Sequence, residues 1–422
     1  MTEPLDRTAD NVGPLDFTPT RQAGLARLEA SAPRFGRHYR EHRNHDLGPD
    51  DRTNVSVLSP WITHRLVSER DVVGRATSDH GHGGKSGTPE KFVQEVFWRT
   101  YWKGWLEMRP HIWRAYEARR DRALDAAEAN GGMSRDLNAA MEGRTGIEGF
   151  DDWAREIVET GYLHNHARMW FASIWIHTLR LDWALGSDFF YRHLMDGDAA
   201  SNTLSWRWVA GLQTRGKVYA ATQSNIARFT NGRFNPRGLN EDPSPLSEDE
   251  DLSPDPIDPP SPLPGGRALL LVHAADCTPE QLRWPGTDVV GVAGFVAPER
   301  RSPLETSALV RRFARGAVED GVARAAAKWG CEGRMVDDDA EALVAAARQA
   351  GADRIVLPTV PVGDLRDRLD RVRGIAREAG LGWHENRRDW DTRAWPHATR
   401  GFFKFKERIP QLMRDAGLQG GR

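Results

Sequence analysis

At 422 residues the chain is long enough for two or three domains, each with its own core. No apolar run approaches a membrane span, and the first twenty residues are too polar and acidic for a signal or transit peptide. Two cysteines, Cys277 and Cys331, cannot by themselves build a zinc or iron–sulfur site, so a cytoplasmic protein with no metal centre is expected.

Residues 1–17 read as a flexible N-terminus, and residues 18–235 as mainly helical. "FVQEVFWRTYWKGWLEM" and "HARMWFASIWIHTLRLDWALG" place apolar groups at helical spacing, the second before a glycine stop. Eleven of the 16 tryptophans fall before residue 210, which suits a helical core filled by indoles or rings that stack on flat ligands. Residues 236–264 hold nine prolines and a net charge of −7, and read as a stiff, solvated linker. With them set aside, the rest carries +5 of the overall −2, mildly basic and compatible with phosphates. From 265 to 422, short β-rich runs ("ALLLVHA", "DVVGVAGFV", "RIVLPTV") alternate with helical ones, which implies a small Rossmann-like parallel sheet. The fold class expected is α + α/β, the helical domain first.

Several constellations could carry chemistry. "YREHRN" precedes "SVLSPWI", whose serines suit an anion at a helix start, although an ordinary helix cap looks the same. In "QEVFWR", Glu95, Trp98 and Arg99 share one helix face, as an exposed Glu–Arg pair beside a core indole would, or as groups converging on a base. Asn165, Arg168, Met169 and Ser173 recur at helical spacing. Arg168 lies in an apolar segment and needs an acid if buried, and Asp196 and Asp198 are the candidates.

In this order the pieces resemble the helical domain of the photolyase/cryptochrome family, and "GYLHNHARMWFASIWIHTLRLDW…DGDAASNTLSWRWVAG" is the most specific segment. The resemblance implies an all-helical FAD-binding domain and FAD as cofactor. Tyr39, Ser56, Leu58 and Ser59 would hold the diphosphate and ribityl part. Glu95, Arg99, Arg168, Asp196, Gly197, Asp198 and Asn202 would complete the cofactor site, with Asn202 facing flavin N5. Glu95, Asn202, Trp183 and Trp206 would be the catalytic and electron-transfer set. Arg43, Trp98, Asn165, His166, Met169 and Trp208 would meet the substrate. The implied activity is light-driven splitting of cyclobutane pyrimidine dimers by FAD-dependent electron transfer, with a cryptochrome-like photoreceptor without repair as the alternative. The implied partner is UV-damaged DNA, single-stranded DNA included, bound by a monomer. A flipped-out lesion costs less to extrude than a normal base.

The C-terminal part resembles the end of the family's antenna-type domain, here following the helical domain, so the order reads as circularly permuted. No antenna chromophore is assigned. The chain departs from the family at Val55-Ser56-Val57-Leu58-Ser59, where Thr-Ser-Arg-Leu-Ser is usual, at Arg65 in place of a glycine, and at His166 in place of an arginine. Asn130 stands where the third relay tryptophan belongs, with Trp175, Trp153 or a tyrosine as substitutes, or else weak photoreduction, as the expectations.

Overall fold

The computed structural model of the protein describes residues 16–80 and 88–418. The expected N-terminal segment 1–17 therefore lies outside it up to residue 15. The chain opens with helices α1 (Arg21–Ser31), α2 (Arg37–His42), α3 (Ser59–Thr63), α4 (Glu69–His80) and α5 (Glu90–Glu107). There follow α6 (Pro110–Ala129), α7 (Gly131–Met141), α8 (Phe150–Thr160) and α9 (Asn165–Ser173). Next come α10 (Trp183–His193), α11 (Ala199–Val209) and α12 (Gln223–Phe229). A π-helical turn, Ile174–Thr178, extends α9. Helix α5 is buried over most of its length, and it sits at the centre of the helical layer with Phe92, Phe97, Trp102 and Trp105 in the core and Glu95, Arg99 and Lys103 among its polar residues.

Strands β1 (Gly266–His273) and β2 (Thr287–Phe295), helix α13 (Ala308–Trp329), β3 (Gly333–Met335) and α14 (Ala340–Gln349) begin the second part. It continues with β4 (Arg354–Pro358), α15 (Asp364–Glu378) and β5 (Gly382–Asn386), then the short helices α16 (Asp389–Ala394), α17 (Phe402–Lys406) and α18 (Ile409–Asp415). The five strands are all parallel in the order β3-β2-β1-β4-β5. The three central strands, β2, β1 and β4, are buried on both faces, as a doubly wound sheet requires, and the edge strands β3 and β5 are only partly covered. Alternate residues of β1 serve two cores: Leu269 and Leu271 pack with α14 and α15, whereas Ala268, Leu270 and Val272 join a core continuous with the helical layer. Helix α13 forms that bridge. The chain then returns to the helices, where Trp390 stacks on Phe97 at 4.9 Å and donates its indole N–H to Thr100 Oγ1 at 3.0 Å. Gly104 makes the approach possible, since a Cβ there would lie 2.7 Å from Trp395 Cα.

Residues 236–264 are mostly exposed, as their composition suggests, but they are not detached from the helices. They form no helix or strand before β1, yet they lie as a strap along the helices. Leu246 N–H donates to the Ala210 carbonyl at 2.9 Å, Asp255 N–H to Met108 at 2.9 Å, and the Arg109 guanidinium to Leu252 at 2.6 Å. Glu248 and Glu250 pair with Arg207, whose side chain is only 1 % exposed. Composition counted the acids; the cations that neutralise them come from α6 and α11.

Candidate functional site

Asp196 and Asp198 lie in the turn between α10 and α11, whose path depends on Gly197: a Cβ there would meet the Tyr191 carbonyl at 2.9 Å and Leu194 O at 3.1 Å. Arg168 donates to Asp196 Oδ2 at 2.9 Å, and Thr63 Oγ1 to the Asp196 carbonyl at 3.1 Å. Arg99 reaches Thr63 from α5. Burial opposes the Asp196 charge, but Arg168, helped by Ser59 and Arg99, holds the carboxyl below its ordinary range. Asp198 caps α11 by accepting from Ser201 N–H at 2.8 Å and lies 3.4 Å from Lys103. Burial again works against the charge, yet Lys103 and Arg99 bring its pKa down to about 2. A compact array of three cations and two acids results. Lys103 was missed by the sequence reading, although it lies one helical turn beyond Arg99 and so on the same face.

A second group forms around Glu95, which accepts from Arg43 at 2.7 Å. Burial raises its pKa, with Arg43 offsetting part of the shift. Tyr39 belongs to this group, and burial pushes its hydroxyl well above the usual range while its ring meets Phe92 edge-on at 5.1 Å. Leu58 is buried beside Val57, which takes a left-handed φ of 53°, and the Ser56 carbonyl accepts from Arg27 at 2.7 Å.

Other expected residues are placed differently. The Asn202 amide, expected to face a flavin nitrogen, donates to the Ser187 carbonyl at 2.8 Å and to its hydroxyl at 3.1 Å. The nearest acceptors lie on α10, and the amide takes them. Trp98, expected to face a lesion, is stacked on Phe402 at 3.6 Å and 12° because α17 folds back over α5. Trp208 stacks on Tyr219 at 5.5 Å, Asn165 is exposed at the start of α9, and Met169 is half-buried. His166 stacks on Trp170 at 4.2 Å with its ring Nδ1 2.9 Å from the Asn44 carbonyl, and burial lowers its pKa. Trp206 is buried with an unpartnered indole N–H, 6.2 Å from Trp175, while Trp183 donates to Glu248 Oε1 at 2.9 Å. Asn130 caps α7, exposed. Arg65 adopts φ 49°, the conformation a glycine would favour, and its guanidinium lies buried between Glu69, Asp276 and Asp391.

Two buried atoms of the acid–cation array, Asp196 Oδ1 and Arg99 Nε, have no protein partner, which leaves an acceptor and a donor for a polar ligand. With Ser59, Arg168 and Asp198 beside them, this donor set fits the ribityl and phosphate chemistry of FAD. A cavity of about 810 Å³ is lined by Met195, Tyr162 and Phe313 among others, and none of the expected cofactor residues lines it. Among the described residues no group of acids, histidines or cysteines is placed to hold a metal ion, and no helix is long and apolar enough to cross a membrane.

The family model "FAD binding domain of DNA photolyase" matches residues 92–238. A deoxyribodipyrimidine photo-lyase of Streptomyces griseus is 36% identical over 174 residues, 40% of this chain and 36% of the relative. One from Thermus thermophilus is 33% identical over 199 residues, 45% of this chain and 41% of the relative. A class III photolyase structure from Agrobacterium tumefaciens aligns with TM-score 0.42 and 24% identity over 50% of this chain and 43% of that one. The matched region spans less than half the length of these curated relatives. Residues 92–238, which carry Arg99, Lys103, Arg168, Asp196 and Asp198, are the part of the chain similar to the FAD-binding domain of DNA photolyase.

Proposed function

We propose that the helical part holds FAD and that the protein splits cyclobutane pyrimidine dimers in UV-damaged DNA under blue light. The observation that supports this most is the buried array of Arg99, Lys103, Arg168, Asp196 and Asp198 within the matched segment. Bound there, FAD supplies light absorption and electron donation. Arg99 and Arg168 would bind its anionic and acceptor atoms, and Asp196 Oδ1 would accept from its hydroxyls or ring. Glu95, half-buried and paired with Arg43, would keep a proton-bearing or accepting oxygen toward the substrate base. Trp206, edge-on to the buried Trp175, would pass electrons toward the flavin. The α/β part would be the family's antenna-type domain in permuted order. The test is to load the purified chain with FAD, reduce it, and illuminate it with a single-stranded oligonucleotide bearing one thymine dimer. Repair is expected; flavin-loaded, reduced protein that leaves the dimer intact would sink the proposal.

A second reading, a photoreceptor without repair, is favoured by the Phe402 ring over Trp98 and by a neutral His166 where a phosphate contact would be charged. Flavin photochemistry with no affinity for dimer-bearing DNA would select it.

A further inference from the structure

Residues 393–408, from the end of α16 through α17, lie outside the matched segment, and no role proposed above uses their outer face. In a chain of net charge −2 they hold five cations, Arg393, Arg400, Lys404, Lys406 and Arg408, against one acid, Glu407, a local net of +4. The inner face of α17 is given to packing: Phe402 and Phe405 are buried, and Phe402 stacks on Trp98 at 3.6 Å. Helical spacing turns Phe403, Lys404 and Glu407 the other way, and Arg400 is exposed just before them. Phe403 is 80 % exposed, by far the most open large apolar side chain among the described residues. One exposed ring is ordinary by itself. This one is held in place, and it stands among cations.

The backbone that carries the ring is pinned. Arg109 donates to the Thr399 carbonyl at 2.9 Å, and the Tyr101 hydroxyl to the Arg400 carbonyl at 2.9 Å. Phe402 backs Phe403 edge-on at 6.5 Å. The cations outside are by contrast uncommitted. Arg400 and Arg408 pair with no acid among the described residues. Lys404 meets Glu407 at 3.0 Å, but both are exposed and the pair is worth little. Lys406 reaches Glu90 at 3.4 Å. Arg408 lies near enough to His397 to add to the fall in its pKa that burial begins. The fold thus holds a flat ring in place beside two free guanidinium groups.

We propose that this face is a platform for single-stranded nucleic acid, on which Phe403 stacks against a base while Arg400, Lys404 and Arg408 hold the flanking phosphates. An unpaired strand offers the base faces that a duplex hides, so the ring selects single strands, whatever their sequence and whether or not they carry a lesion. The platform rests on residues 393–408 and not on the flavin reading, so either can fail alone. A membrane surface fits less well. Phe403 is the one large apolar side chain exposed on this face, and the other exposed ones, Met133, Val158, Leu246 and Leu304, lie elsewhere in the chain. The acidic strap of a second copy also fits less well, because Glu248 and Glu250 are already paired with Arg207 of their own chain.

The test uses the full chain, flavin-free and flavin-loaded, and reads the anisotropy of a fluorescent, undamaged oligothymidylate of about 16 nucleotides. Saturable binding is expected in both forms, with a duplex of the same length bound about tenfold more weakly. Phe403→Ala is expected to weaken strand binding about tenfold and Phe403→Trp to keep it, the difference being one stacked base. Arg400→Glu and Arg408→Glu are each expected to weaken it about tenfold and to flatten its dependence on salt. All three side chains are exposed, so these variants fold. Met133→Ala and Arg135→Glu, exposed on α7, are expected to leave binding unchanged. Binding by the Phe403→Ala variant equal to that of the parent, or equal binding of strand and duplex, would overturn the proposal. So would adhesion to phosphatidylserine vesicles, or dimers in sedimentation velocity, that Phe403→Ala abolishes while strand binding stays unchanged; these would assign the face to a membrane or to a second copy. Strand binding that depends on Phe403 in a protein that repairs no dimer would uphold the platform and remove only the repair reading.

Discussion

Glu248 accepts the indole N–H of Trp183 at 2.9 Å, and the same oxygen accepts from Arg119 at 2.8 Å. Its other oxygen takes Arg207 at 2.6 Å. One residue of an irregular acidic strap thus ties down α6, α10 and α11 together. Burial opposes the Glu248 charge, but Arg207 keeps its pKa below the ordinary value. Replacement by alanine leaves the fully buried Arg207 with Glu250 alone and frees the indole N–H. We expect Glu248→Ala to cost about 3 kcal/mol, read as a shift of the urea midpoint, with Glu248→Gln losing less because it keeps an acceptor for Trp183. A midpoint equal to that of the parent would mean that the strap is only laid on the surface.

Phe402 and Phe403 are neighbours with opposite fates. Phe402 is 4 % exposed and covers one face of Trp98, whereas Phe403 is 80 % exposed. Phe402→Ala is expected to destabilise by about 3 kcal/mol, and Phe403→Ala to stay within about 0.5 kcal/mol. Trp98 fluorescence, isolated by comparison with a Trp98→Phe background, should become more open to iodide quenching in the Phe402 variant alone. Equal quenching in both would show that α17 does not shield the ring.

The two-part architecture and the pairing of Arg168 with Asp196 were legible in the sequence for physical reasons. Periodicity separates helix from strand, and an arginine inside an apolar helix must find an acid. What escaped is whatever depends on a distant partner. The attachment of the strap was not legible because nothing local marks Arg109, Arg119 and Arg207 as its partners. Trp98 looked free because residues 402–405, far along the chain, return to cover it. Asn202 looked like a cofactor contact, and only the approach of α10 shows that Ser187 takes its amide. Lys103 was within reach of the helical spacing and was passed over.

Arg65 illustrates how a departure from a family pattern can acquire a role. Its left-handed backbone costs about 1 kcal/mol relative to glycine. The side chain that glycine lacks enters a buried group made by Glu69, Asp276 and Asp391, 2.7 Å from the last. Asp276 and Asp391 belong to the α/β part, so the guanidinium joins the two halves. Arg65→Gly should therefore destabilise by about 3 kcal/mol net, the strain relieved being smaller than the charges left unpaired. Asp276 keeps Arg388, while Glu69 and Asp391 would face chiefly Lys103. An Arg65→Gly variant as stable as the parent would show that the charge group contributes nothing net.

His64 couples the same interface to pH. Its Nδ1–H donates to the Ala274 carbonyl at 2.5 Å, just beyond β1, and its Nε2 is buried without a partner. Burial, then Arg301 and more weakly Lys103, lower its pKa to about 4, while the backbone carbonyls of Ala274 and Met195 pull the other way. The folded protein therefore keeps a neutral ring where the unfolded chain, titrating near 6.5, takes up a proton. As pH falls from about 6.5 to about 4 the unfolded state binds more protons, so stability declines through that window and the loss is complete at the folded value. For His64 alone the full loss is about 3 kcal/mol. His164 and His193, lowered by burial to about 3 and about 4, slope the same way, so the parent curve by itself does not isolate one ring. The difference between parent and His64→Gln does. The glutamine can still donate to Ala274 and has nothing to titrate, so its melting temperature should fall less steeply between about pH 6.5 and about pH 4, and the two curves should converge toward the acid end. Parallel curves across the window would mean that His64 is protonated in the folded state and that its contact with Ala274 is made by a charged ring.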